Sequence, residues 1–191
     1  MHPYSINSNE RANVQLILAG VSILITWLIK LNLNFPWWFE DPSIIGVYGL
    51  LYLFFDRYIW KIGLLRSIGL IQTPDINGKW AGHLKSSFDG FKMEHEATIL
   101  FMQHWTSIDI SFNTLTSKGR SLVASIEMKS NGDAELTYTY LNEPVASSQA
   151  PMNMHKGTST LCFSDNFFKI DGEYYSGRGR GQYGEVHFKR E

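Results

Sequence analysis

Hydrophobic periodicity changes once along this chain, near residue 72, and that change limits the possible folds more than any other feature. Before it lie two apolar stretches, residues 14–33 and 42–71. Beyond it, apolar and polar residues alternate with a period of two, the pattern of half-buried strands. A leading third suited to lipid or to a helical core thus precedes a sheet-forming remainder of about one domain's length.

The first stretch, VQLILAGVSILITWLIKLNL, carries one charge, Lys30, near its end, where a lysine can snorkel. Its length suits one membrane crossing. A cleaved leader is disfavoured: Glu10 and Arg11 precede the run, and the bulky NFPWWFEDP follows it. In the second stretch, 44–55 is uninterruptedly apolar before Asp56 and Arg57. Asp56 has two readings. A crossing from Trp37 or Trp38 delivers it to the far interface, with Arg57, Lys61 and Arg66 on a surface helix. A helix running on to Leu65 instead buries it in the bilayer, where ionisable residues are functional by default. The sequence reading is thus a two-pass transmembrane hairpin over 14–71, an N-terminal tail over 1–13 and a linker over 72–77. Glu40 and Asp41 occupy the connector, and the basic residues follow the second crossing. The positive-inside rule then puts the connector outside and both termini in the cytoplasm.

Residues 78–191 offer about eight strands with no helical pattern long enough to cover a sheet face. GKWAGHLKSSF alternates, Asn131-Gly132-Asp133 is a hairpin turn, and Asp171-Gly172 is a second hairpin or a bulge inside one bent strand. The expected fold is a roughly eight-stranded antiparallel barrel, whose closure removes the edges. A two-sheet sandwich is the structural alternative. Outward positions such as Lys85, Glu127, Lys129 and Glu135 argue against an outer-membrane barrel.

Residues 1–71 hold five Lys/Arg and four Asp/Glu, leaving 12 and 14 for the remainder. That near-neutral balance excludes a long DNA or RNA track but not a small anion. Cys162 is the one cysteine and forms no internal disulfide. No hydrolase, kinase or dinucleotide fingerprint is present, and the histidines lack metal-site spacing. The chain reads as a non-enzyme with no metal and no cofactor.

The segment Gly172-Glu173-Tyr174-Tyr175-Ser176-Gly177-Arg178-Gly179-Arg180-Gly181 stands out. Tyr174, Ser176, Arg178 and Arg180 share a parity, and glycines between them permit close approach to a phosphate. Lys156 is a candidate third cation. Tyr138 and Tyr140 line one strand face for base stacking, and Asn142 can pair with an adenine-like edge. Each has a plainer reading, as solvent-facing arginines or as core tyrosines.

Taken in order behind the hairpin, DINGKWAGHL, YTYLNEP, HKGTSTL and GEYYSGRGRGQYGEV resemble the two-transmembrane β-barrel effectors of bacterial CBASS anti-phage systems. The resemblance implies a barrel that binds a cyclic dinucleotide made by a partner nucleotidyltransferase. It also implies homo-oligomeric assembly of the membrane segments among lipids, disruption of the inner membrane and abortive infection. The competing expectations are a membrane-tethered carrier or sensor of an apolar molecule, with Arg178 and Arg180 outside its cavity, and a structural protein with a filled barrel.

Overall fold

The computed structural model describes residues 1–32, 43–146, 153–164, 166–177 and 180–191. The chain divides into two units, Ser8–Gln72 and a second formed by Met1–Asn7 with Thr73–Glu191.

In the first unit, helix α1 (Glu10–Asn32) buries Val14, Leu18, Ser22 and Thr26, a stripe with the four-residue spacing of one helix face. It packs against α2 (Ile44–Arg57). Ser22 Oγ donates to the Ala19 carbonyl at 2.7 Å and Thr26 Oγ1 to the Ser22 carbonyl at 2.8 Å, so neither hydroxyl is left unsatisfied on the apolar helix. Leu16, Ile23, Trp27 and Leu31 lie exposed around the same helix. The span Glu10–Leu31, 22 residues with a mean hydropathy of 2.1, is consistent with membrane association.

Of the two readings of the second stretch, helix α2 ends at Arg57, where the surface-helix reading puts the end, and a second crossing is not confirmed among the described residues. Helix α2 has 14 residues, about 21 Å at 1.5 Å per residue, against a hydrocarbon core of about 30 Å. It stops at Tyr58, whose φ of −130° leaves helical geometry. A 3₁₀ turn (Ile59–Lys61) and the short helix α3 (Gly63–Ser67) follow. Among the described residues, α1 alone is long and apolar enough to span. The proposed aromatic belt and acidic connector, Trp37 to Asp41, lie outside the described residues.

The second unit is a nine-stranded sheet: β1 (His2–Ile6), β2 (Gly78–Ser86), β3 (His95–Gln103), β4 (Ser107–Thr114), β5 (Ser117–Met128), β6 (Ala134–Pro144), β7 (His155–Ser164), β8 (Lys169–Ser176) and β9 (Tyr183–Arg190). Their order is β1-β4-β3-β2-β9-β8-β7-β6-β5, with β1 also pairing to β5. The expected eight-stranded, wholly antiparallel barrel is therefore corrected in count, in strand direction and in what joins its ends. Direct β4–β5 pairing is confined to Ser111–Arg120, Phe112–Gly119 and Asn113–Lys118. Past it the two strands fork. At the fork a bulge at Ser121/Val123 lets Ser121 Oγ accept from the Ile110 amide at 3.0 Å. Strand β1, from the residues expected to be a tail, fills the fork antiparallel to β4 and parallel to β5. His2 Nε2 lies 2.8 Å from Ser121 Oγ, and Tyr4 Oη donates to the Trp105 carbonyl at 2.8 Å.

Asp171-Gly172 sits within the single strand β8, paired to Cys162 and Leu161. The inner face carries a gradient. At one end Trp80 packs edge-on against Phe101 and Phe163, with centroids 6.2 and 5.6 Å away, among Ile108, Leu136, Ile170 and Phe188. Along each strand toward the other end, inward residues become polar: Ser86, His95, Thr114, Ser117, Asn142 and Ser176. One end is packed solid, and the other can hold a ligand.

Candidate functional site

Strand alternation sends Tyr138, Tyr140 and Asn142 of β6 inward, and register places three of the inward residues around the cavity opposite a glycine. Tyr140 lies opposite Gly157, Tyr174 opposite Gly184, and Asn142 opposite Gly119. A Cβ on Gly157 would collide with the Tyr140 phenol, and one on Gly184 with the Lys85 carbonyl and the Tyr174 ring. These glycines let the rings lie flat along the wall, which leaves the polar end hollow.

The result is a cavity of about 490 Å³. Its walls include Leu84, Phe112, Leu161 and Phe188 below, Tyr138, Tyr140 and Tyr174 at middle height, and Asn142, Ser176 and Arg180 above. Phe88, Met93 and Leu115 add exposed apolar side chains to its lining.

The three tyrosines differ in their hydroxyl partners. Tyr138 is buried and bonds Ser159, which donates onward to the Glu173 carbonyl at 2.9 Å. Tyr174 bonds Ser86. Tyr140 has no hydrogen-bond partner among the described residues, although its ring meets Tyr138 with centroids 6.1 Å apart. Burial pushes the Tyr138 phenol well up, the Ser159 bond offsetting only part of it. Burial does the same to Tyr140, reinforced by Tyr138 and Tyr174 and opposed by Arg180. These phenols are therefore neutral donors at physiological pH.

Arg180 has no carboxylate partner among the described residues. Its Nη1 lies 3.3 Å from His155 Nδ1, which also lies 2.9 Å from the Asn153 carbonyl. One ring nitrogen cannot accept from arginine and donate to a carbonyl at once, so this contact depends on the tautomer. Arg180 thus brings a cation with no carboxylate partner among the described residues into a largely apolar wall.

Of the residues read from sequence as ligand contacts, Tyr138, Tyr140, Asn142, Tyr174 and Arg180 line this one cavity. Lys156 does not. It is exposed on the outward phase of β7, between inward Gly157 and cavity-lining His155, and only its carbonyl contributes locally, accepting from the Gly177 amide at 2.7 Å. Arg178 lies outside the described residues. Sequence reasoning missed Ser86, Phe88, His95, Leu115, Ser117 and Ser159. For His95 the odd-numbered phase shared with Ala97, Ile99 and Phe101 is a signal that it faces inward. Among the described residues no group of His, Cys, Asp and Glu is arranged to hold a metal.

Two curated proteins are similar to this chain. Both bear the name "CD-NTase-associated protein 15". The one from Yersinia aleksiciae is 29% identical over 154 residues, 80% of this chain and 71% of that protein. The one from Staphylococcus schleiferi is 24% identical over 123 residues, 64% of each, so the match spans under two-thirds of it. The family model described as "Cap15, cyclic dinucleotide receptor domain" matches residues 71–190, the stretch that holds strands β2 to β9 and every residue lining the cavity. On that match, which covers well over half of its length, the chain belongs to the Cap15 cyclic dinucleotide receptor domain family.

Proposed function

We propose that the cavity binds a cyclic dinucleotide, and that the chain is a membrane-associated receptor and effector of CBASS anti-phage defence. The observation that carries the reading is Arg180, a guanidinium with no carboxylate partner among the described residues, in the wall of an aromatic cavity of about 490 Å³. A phosphodiester supplies the missing anion, and the bases supply flat apolar faces for Tyr140 and Phe88. Asn142 offers an amide that matches a base edge. The competing carrier of an apolar molecule leaves no task for Arg180 inside the cavity, and the family match speaks for a nucleotide ligand.

The names of the relatives indicate the ligand's source, a partner nucleotidyltransferase. The output is self-association that concentrates the apolar unit in the bilayer and disrupts it. For this, the ligand must bind the assembled state more tightly than the free one, since equal affinity shifts nothing. Strand β1 precedes α1 yet shares a sheet with β2–β9, which follow the apolar unit. Because both ends of the apolar unit lead into one sheet, the proposal requires the chain to enter and leave the bilayer on the same side.

The test is calorimetry of the full chain in lipid nanodiscs against a panel of purine and pyrimidine cyclic dinucleotides. We expect at least one to bind. Arg180→Ala should weaken it by about 10- to 100-fold, as charge-assisted hydrogen bonds contribute about 1.5–3 kcal/mol. Binding by none of the panel would overturn the receptor reading. Unchanged affinity in Arg180→Ala would remove Arg180 from the site.

A further inference from the structure

Arg180 is one cation, whereas a cyclic dinucleotide presents two phosphates held apart by its ring. A second polar group prepared for an anion is found elsewhere on the cavity wall. His95, at the start of β3, lines the cavity, and its Nε2 lies 3.0 Å from Asp89 Oδ2. In the strand order, β2 and β9 separate His95 from the β8–β9 connection that carries Arg180.

The turn that carries Asp89 is built with care. Residues Ser87–Asp89 form a 3₁₀ turn closed by Gly90 in the left-handed conformation (φ 68°), and Phe91 continues at φ 63°. A bulky residue there is uncommon and is held only by surrounding contacts. The Phe91 amide donates to the Ser86 carbonyl at 2.9 Å, the Phe88 amide to Ser86 Oγ at 3.2 Å, and the Tyr183 amide to Ser87 Oγ at 3.1 Å. Ser86 also bonds Tyr174 of the cavity wall. Asp89 is thereby tied to the ligand-facing wall. Burial raises its carboxyl, but the hydrogen bond and charge of His95 outweigh that and hold it below the ordinary value, so it stands ionised.

We propose that His95 is a second phosphate contact of this receptor, with Asp89 as the positioning residue that fixes its ring. The proposal rests on the cyclic-dinucleotide reading of the cavity. Asp89 takes the proton on Nε2, which leaves Nδ1 for the ligand. In the neutral ring Nδ1 is only an acceptor, so a phosphate can be bound there only by the imidazolium, in which both nitrogens donate. The other charges beside His95 are Glu94, just before β3, and Glu96 within it, both of which line the cavity, with Glu94 engaged by Lys85 at 3.2 Å and lying 3.8 Å from His83. The adjoining wall residues Leu84 of β2 and Thr114 of β4 carry no charge. A phosphate at Nδ1 therefore selects the protonated ring, so binding there is linked to proton uptake.

The deciding experiment is calorimetry of the full chain in nanodiscs at about pH 7.5 in buffers of different ionisation enthalpy. It compares the parent with His95→Gln, Asp89→Asn and His155→Gln. We expect net proton uptake on binding by the parent and by His155→Gln. Uptake should be absent in His95→Gln and reduced in Asp89→Asn, with affinity roughly tenfold weaker in each. A parent that binds without proton uptake, or a His95→Gln variant that keeps both affinity and uptake, overturns the proposal and leaves the receptor intact. Uptake that vanishes in His155→Gln instead also overturns it. Failure of the parent to bind any cyclic dinucleotide is the distinct result that removes the receptor reading itself.

Discussion

At the scale of single residues, the site is a set of tyrosines made equivalent by sequence and unequal by structure. Tyr138 and Tyr140 are two apart on one strand face, which the period of two makes legible. Only the fold tells them apart, because Tyr138 is bonded to Ser159 whereas Tyr140 has no partner among the described residues. Tyr138→Phe should thus cost about 1 kcal/mol of stability, read by chemical denaturation. Tyr140→Phe should leave the denaturation midpoint unmoved while lowering ligand affinity. The glycine opposite Tyr140 is as specific. Gly157→Ala sets a methyl against the phenol and 2.6 Å from the Tyr175 carbonyl. We expect a loss of about 1–3 kcal/mol, as overpacked sites show, with a melting shift as the measurement. Lys156 shows what alternation within one strand already tells: it lies on the phase of β7 opposite buried Leu161 and Phe163, and so points outward.

At the scale of elements, the long alternating strands β3, β5, β6 and β7 were legible because each buries one face and leaves the other wet. Strand β1 was not. HPYSI is five residues long, opens the chain and contains a proline, and nothing local distinguishes it from a tail. Its place is set by a distant event, the forking of β4 from β5. In the second apolar stretch, composition continues past Tyr58 but the helix does not, which overturns the reading of one helix running on to Leu65. One buried side chain joins what the sequence separates. Gln103 Nε2 donates to Tyr4 Oη at 3.2 Å, while its Oε1 accepts from the Ile76 amide at 3.1 Å. Gln103→Leu keeps the volume but strands the Ile76 amide, and should cost about 1–3 kcal/mol. The outer face makes a pH prediction through Asp171. Burial raises this carboxyl, but bonds from Lys169 at 2.6 Å and His187 at 2.7 Å hold it below its ordinary value of 3.8. A depressed carboxyl stabilises the fold above its unfolded pKa and loses that contribution as pH falls through the folded value. Acid titration of stability should therefore show a decline below about pH 4 that is shallower in Asp171→Asn.

At the scale of the whole molecule, the receptor unit is discontinuous. Its first strand precedes the apolar unit, and its other eight follow it. The boundary read from periodicity, at residue 78, would leave the fork between β4 and β5 unfilled and remove both residues that Gln103 holds. A chain cut to 78–191 should consequently be less stable than the receptor unit within the full protein, and prone to pair through the opened seam. The remedy follows from the same contacts. Tyr4 and Ile76 meet one glutamine side chain, so their backbones lie close, and about eight Gly/Ser residues, with a span of roughly 16 Å, can replace Ser8–Gln72 between Asn7 and Thr73. We expect the linked form to unfold cooperatively and to bind a cyclic dinucleotide with the affinity of the full chain, while 78–191 alone melts lower or aggregates. In cells carrying the partner nucleotidyltransferase, the linked form should be harmless where the full chain is toxic. Killing by the linked form would place the effector's output in the sheet and take it away from the apolar unit.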